Sequence, residues 1–157
     1  PFNFAITFII SLYSSITLSV SRPVTVEASY QEWLEFVGAR FVSHGAEIFQ
    51  QTIIETNHPI LRGWKNFESW DETYVQSHFD GGRTVLAKRG DEAWMWVRNE
   101  GEGRVFYCAS GHDERTWQDP AFLDLLVRAV DWTSGEKAAN KRAAFKLPSF
   151  EYEARDF

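Results

Sequence analysis

Apolar and polar positions along the chain follow two rhythms, and the change between them marks out the predicted elements. Ser29-Tyr30-Gln31-Glu32 has the form of a capping box, with Ser at the N-cap and Glu three residues on. The helix it opens sets Trp33, Leu34 and Val37 on one face and ends near Gly38. Residues 47–55 (EIFQQTIIE) are β-prone and read as a strand. Asn57-His58-Pro59 then breaks the chain, because proline cannot continue a ladder and restricts the residue before it. A second extended run covers 67–77 around Trp70 and Tyr74, and residues 83–88 (RTVLAK) read as a short strand. The apolar runs 93–98 and 104–109 flank Asn99-Glu100-Gly101-Glu102-Gly103, which predicts a β-hairpin or two neighbouring strands joined by a tight loop.

The last helix is the clearest element. Asp119 suits the N-cap, and Pro120 sits at the first helical position, where its missing N–H costs nothing. Phe122, Leu125, Leu126, Ala129 and Val130 then form one stripe, and Gly135 suits the C-terminus. Beyond it, residues 136–146 are rich in Lys, Arg and Ala, and 147–157 lack a helical period, so 136–157 reads as a linker or tail. At the other end, Pro1 to Ser21 holds no charged residue. Residues 1–26 are therefore set apart from the fold, either as a signal-peptide core or anchor, or as a truncated or misread stretch foreign to the domain. Between them, residues 27–135 alternate helix and strand, which predicts one α/β domain.

Composition modifies this picture at three points. The 157 residues, 44% hydrophobic and 24% charged, are ordinary for a folded domain with one core. A net charge of -6 without a basic cluster disfavours a nucleic-acid partner. Seven Trp fit a large core, or a pocket where flat rings stack on pyranose faces. The single cysteine, Cys108, excludes an internal disulfide framework, and its place at the end of an apolar strand predicts a buried, inert thiol.

Several common chemistries are absent. Gly101-Glu102-Gly103 is too short and acidic to cradle phosphate, no HExxH appears, and no Gly-x-Ser-x-Gly or Gly-x-Cys-x-Gly elbow presents a nucleophile. The remaining polar residues gather at strand ends. His112 and Asp113 follow the strand 104–109, Asp71 and Glu72 adjoin Trp70, and His44-Gly45 precedes the strand at 47–55. A histidine with one or two carboxylates can perform acid–base work or hold a divalent metal. The simpler reading gives Asp113 or Thr116 a turn-capping role and leaves His58 as a turn residue.

Taken together, Val37-Gly38-Ala39-Arg40-Phe41, Ser43-His44-Gly45, His58-Pro59-Ile60, Phe67-Glu68-Ser69-Trp70-Asp71-Glu72-Thr73-Tyr74, Trp96-Val97-Arg98, Gly103-Arg104-Val105-Phe106-Tyr107 and Gly111-His112-Asp113-Glu114-Arg115-Thr116-Trp117 resemble the ThuA-like (trehalose-utilisation) family. The likeness runs from about Ser29 to Gly135, and WDETY with GHDERTW are its specific parts. It implies a flavodoxin-like, mostly parallel sheet with flanking helices, as in the glutamine-amidotransferase-like superfamily, here without its N-terminal strands. It also implies a role in the metabolism of trehalose or related keto-disaccharides. His112, Asp113, Glu72 and His44 are then the expected catalytic residues, and Trp70, Asp71, Tyr74, Arg115 and Trp117 the expected substrate contacts, with a small sugar or disaccharide as ligand. No cofactor is implied with certainty, though a divalent metal fits the residue types. Glutamine amidotransfer is not expected, because the cysteine elbow is missing. The alternative is a non-catalytic carbohydrate-binding or interaction module, supported by the aromatic richness and the incomplete catalytic set.

Members of that family carry an earlier half with the first strands and a Gly-rich segment ending in a Gly-x-His-type motif. Residues 1–26 do not resemble it, so an N-terminally incomplete fragment is expected, prone to aggregate through exposed sheet faces and edges. The tail from Phe145 resembles linkers that join some ThuA-like domains to haem-binding or sugar-dehydrogenase-like modules. That implies further domains in a larger periplasmic or secreted protein.

Overall fold

The computed structural model describes residues 8–9, 34–77, 81–100 and 103–135. In chain order these form β1 (Phe8–Ile9), a helical stretch α1 (residues 34–37), β2 (Arg40–Gln50), β3 (Thr52–Ile53), β4 (Glu68–Ser77), β5 (Arg83–Arg89), β6 (Glu92–Glu100), β7 (Gly103–Cys108), α2 (Glu114–Gln118) and α3 (Pro120–Ser134). Leu34 and Val37 are buried, and the Gly38 N–H closes the final turn of α1 on the Leu34 carbonyl at 2.7 Å. Gly38 has φ 78°, the left-handed backbone that glycine adopts without a Cβ penalty. Trp33 and the expected capping box lie outside the described residues.

Among the described residues two sheets form, one of five strands in the order β1-β7-β6-β5-β3 and one that pairs β2 with β4. All of these pairings are antiparallel except the two-residue contact of β1 with β7, Phe8 against Phe106 and Ile9 against Tyr107. The expectation of a flavodoxin-like, mostly parallel sheet is therefore corrected, and with it the glutamine-amidotransferase-like architecture. The connections explain why. Parallel neighbours need a crossover of about a dozen residues or more. Here Arg89 pairs with Glu92 across Gly90-Asp91, and Glu100 pairs with Gly103, so β5, β6 and β7 can only run back and forth. Gly90, at φ 57°, supplies the positive φ that a two-residue hairpin turn requires.

The strand expected at 47–55 is divided between the sheets. β2 starts at Arg40 and ends at Gln50, while β3 belongs to the other sheet. Gln51, buried at the crossing, donates from Nε2 to the Ser110 hydroxyl at 3.1 Å. His44-Gly45 thus lies inside a strand rather than in a loop before one. Residues 40–48 are exposed on both faces, so no alternation marks them as a strand.

The core centres on β6 and β7, where Trp94 to Val97 and Val105 to Cys108 are buried on both faces. Trp96 stacks on Tyr107 at 3.9 Å and donates its indole N–H to the Val37 carbonyl at 3.0 Å, which anchors α1. α3 forms as its sequence predicts, with the Asp119 side chain accepting from the Ala121 N–H at 2.7 Å and Pro120 first in the helix. Phe122, Leu125 and Ala129 are buried, while Leu126 and Val130 are half-buried. Burying Phe122 and Leu125 stabilises the fold by about 2 kcal/mol each. Cys108 is buried as expected, and burial pushes its thiol up to about 12, so it stays protonated. Among the described residues no helix is long and apolar enough to cross a membrane.

Candidate functional site

Strand alternation on β4 sends neighbouring residues in opposite directions. Asp71 points inward and is fully buried, whereas Glu72 points to the other face, with its side chain 17% exposed. Glu72 lies between two histidines. Its Oε1 is 3.4 Å from His44 Nδ1 and 3.5 Å from His112 Nε2, and its Oε2 accepts a short hydrogen bond from the Tyr74 hydroxyl. The histidines are more open, at 47% for His44 and 38% for His112, so the carboxylate forms the floor of the group and the imidazoles its rim.

β2 delivers His44 through a β-bulge. The register of β2 on β4 slips between Phe41 and Ser43, leaving Val42 as an extra residue. Without the bulge, Phe41 and His44 would fall on opposite faces. With it, both stand beside Tyr74, at ring-centroid distances of 5.7 Å and 6.0 Å. The His44 tautomer follows from its neighbours. Nδ1 faces two acceptors, the Gly45 carbonyl at 3.3 Å and Glu72 Oε1, so in the neutral ring it carries the proton and Nε2 keeps its lone pair. The same argument places the His112 proton on Nε2, toward Glu72, and leaves Nδ1 as the acceptor.

His112 comes from the loop after β7, and Asp71 holds that loop. Its Oδ2 accepts from the Gly111 N–H at 2.7 Å and the Thr116 hydroxyl at 2.8 Å. Its Oδ1 accepts from the N–H groups of Glu72, His112 and Asp113 at 2.9, 3.2 and 3.1 Å. Thr116 is buried and also bonds the Ser69 hydroxyl at 2.8 Å, tying α2 to the start of β4.

Asp113 and Arg115 form a separate unit. Asp113 caps α2 by accepting from the Arg115 N–H at 2.9 Å, and its two oxygens grip the guanidinium at 2.6 and 3.0 Å. These hydrogen bonds from the Arg115 side chain and backbone hold the Asp113 carboxyl down at about 2. The guanidinium lies 4.4 Å from the centre of the Trp70 ring, so Arg115 covers a face of that indole. Trp117 donates its N–H to the Gly111 carbonyl at 2.9 Å and sets its ring edge-on to Phe122, leaving the residue 39% exposed.

Of the nine expected site residues, the structure thus joins Glu72, His44, His112 and Tyr74 directly. Asp71 is buried beneath them, and Asp113, Arg115 and Trp70 make an adjoining cluster, with Trp117 in α2. His58 is remote from this group; its Nδ1 accepts from the Ile60 N–H at 3.3 Å, and its ring lies against Trp132. Sequence reasoning did not find Phe41, since no residue pattern announces the bulge. It named Thr116 only as a turn cap, although a hydroxyl three residues past Asp113 was the available signal. Among the described residues, no group of three or more His, Cys, Asp or Glu side chains is placed to hold a metal ion.

Comparison with known proteins identifies one family. The model of the family described as ThuA, trehalose utilisation, matches residues 22–133, more than two thirds of the chain, and spans every residue of the group. No curated protein sequence and no solved structure matches the chain.

Proposed function

The chain belongs to the trehalose-utilisation (ThuA) family, and from that premise we propose that the Glu72 group is an acid–base site acting on trehalose or a related keto-disaccharide. The observation that carries the reading is one carboxylate shared by two histidines, with each imidazole held so that its free nitrogen is the one turned from Glu72. A neutral imidazole accepts a proton from a sugar hydroxyl, or from a carbon beside a carbonyl. The imidazolium so formed is stabilised by the adjacent Glu72 carboxylate. That imidazolium can return the same proton elsewhere on the sugar and become neutral again, a shuttle suited to isomerisation. Tyr74 keeps Glu72 in place by donating to Oε2. Trp117, part-exposed and bonded to Gly111 next to His112, offers a flat surface for a pyranose ring.

General acid–base groups of this kind contribute roughly a hundredfold to ten-thousandfold in rate. His112→Ala should therefore lower turnover of a keto-disaccharide by about that factor while leaving binding measurable by calorimetry. Unchanged turnover in the variant would remove His112 from the chemistry. A parent protein that binds the sugar but never turns it over would instead establish a carbohydrate-binding module.

A further inference from the structure

Five donors converge on the Asp71 carboxylate: the N–H groups of Glu72, Gly111, His112 and Asp113, and the Thr116 hydroxyl. Three of them are consecutive along the loop that bears His112. We propose that Asp71 is the positioning residue of the site, a buried clip that fixes where the His112 ring stands against Glu72. The inference rests on the acid–base reading for its catalytic consequence, though its structural content does not. Asp71 has no exposed surface, so it meets no substrate and acts only through the loop.

The geometry makes the clip short and stiff. Asp71 and Glu72 are consecutive on β4, and Glu72 donates its own N–H to Asp71 Oδ1, the oxygen that also receives the His112 N–H. One strand position thus holds the loop while the next holds the imidazole. An ionised carboxylate is acceptor-only at both oxygens, which this crowd of donors requires. An asparagine has nearly the same shape, but whichever way its amide turns, its NH2 group would face at least one backbone N–H and leave it unmatched. His44 supplies an internal control. It stands on β2, pairs with the same Glu72 oxygen, and makes no bond to Asp71 or to the loop.

The test follows the two imidazoles by 15N–1H spectra of histidine-labelled protein, in the parent, Asp71→Asn and Thr116→Val. Asp71→Asn should shift the His112 ring nitrogens and make them insensitive to a second change, Glu72→Gln, while the His44 signals stay coupled to Glu72. Turnover should lose on the order of a hundredfold in kcat with little change in KM, as misplacement of a reacting group by about 1 Å does. Thr116→Val removes one donor of the five, and should move His112 in the same direction by less; it decides the matter if Asp71→Asn does not fold. Unmoved His112 signals in Thr116→Val, or in a folded Asp71→Asn, would overturn the proposal. So would equal shifts of His44 and His112, which indicate general loosening. If His112→Ala leaves turnover intact while Asp71→Asn still moves the His112 ring, the acid–base reading fails and the clip stands.

Discussion

The five-stranded sheet and the β2–β4 ribbon are built from similar strands but meet the solvent in opposite ways. In the sheet, four consecutive residues of β6 are buried, two of them tryptophans with no exposed surface. In the ribbon, β2 is exposed from Arg40 to Ile48, and Phe41, Val42 and Ile48 remain open although apolar. The two regions are joined at a few points. Arg89 of β5 bonds Glu47 of β2 at 2.8 Å, with its guanidinium over Phe49 and Trp94, and Gln76 of β4 donates to the Tyr107 hydroxyl at 2.6 Å. The candidate site lies along this seam, with Glu72, Tyr74 and His44 from the ribbon and His112 from the loop behind the sheet. The sheet carries the loop and buried Asp71 of β4 clips it, while exposed β2 leaves the imidazoles within reach of a soluble substrate. Stability and access are thus divided between regions.

The strongest way to break that division is to cut into the sheet. Trp94 is fully buried, meets Phe49 edge-on at 4.9 Å and donates to Ser110 at 2.8 Å. Trp94→Ala should destabilise the protein by about 3–5 kcal/mol, the range for large aromatic truncations in a core. That is a large share of the roughly 5–15 kcal/mol by which domains are stable. Urea unfolding of the parent and variant measures it through the midpoint. A loss under about 1 kcal/mol would show that β6 is not the centre of the fold.

The same division explains what could be read in the chain before its structure was known. The buried parts announce themselves. α3 has its cap, its proline and its apolar stripe, and the β6–β7 pair has two apolar runs around a short glycine-bearing turn. The family residues at 70–74 and 111–117 were legible because they are close-set, and the fold brings them together through Asp71 and Thr116. Strand direction was not legible. Side-chain alternation is the same in parallel and antiparallel strands, and only the connection lengths separate the two. Asp71 and Glu72 look equivalent as neighbouring acids, and hydropathy places both outward. The inward turn of Asp71 depends on donors some 40 residues away, which no local pattern encodes. The start of β2 was hidden because a strand wet on both faces has no apolar period.

Asp113 tests the edge of the seam through pH. Its carboxyl is held at about 2 in the fold by Arg115, against an ordinary value of 3.8. A carboxyl lowered on folding contributes stability that is present above its unfolded value and lost as pH falls through its folded one. Asp113→Asn should therefore lower the thermal midpoint modestly at pH 5 and above. The gap should close between about pH 4 and 2, because protonated Asp113 gives up the same advantage. An exposed ion pair is screened by solvent and salt, so the gap should also shrink at high ionic strength. A gap that persists unchanged at pH 2 would mean the contact with Arg115 is not what depresses the carboxyl.

The smallest expected effect lies on the ribbon itself. Ile48 pairs with Trp70 in the register of β2 on β4, yet is 67% exposed. Ile48→Thr keeps the β-branched shape that strands favour and removes apolar surface that already faces water. Its effect on stability should fall within about 0.5 kcal/mol, as for most surface substitutions. The comparison makes this small number informative. A cost above about 1.5 kcal/mol would mean that Ile48 is covered in solution, because only burial gives one aliphatic side chain that much weight. The ribbon would then be a partner's floor rather than an open face, and substrate would have to approach His44 and His112 from the side of Trp117.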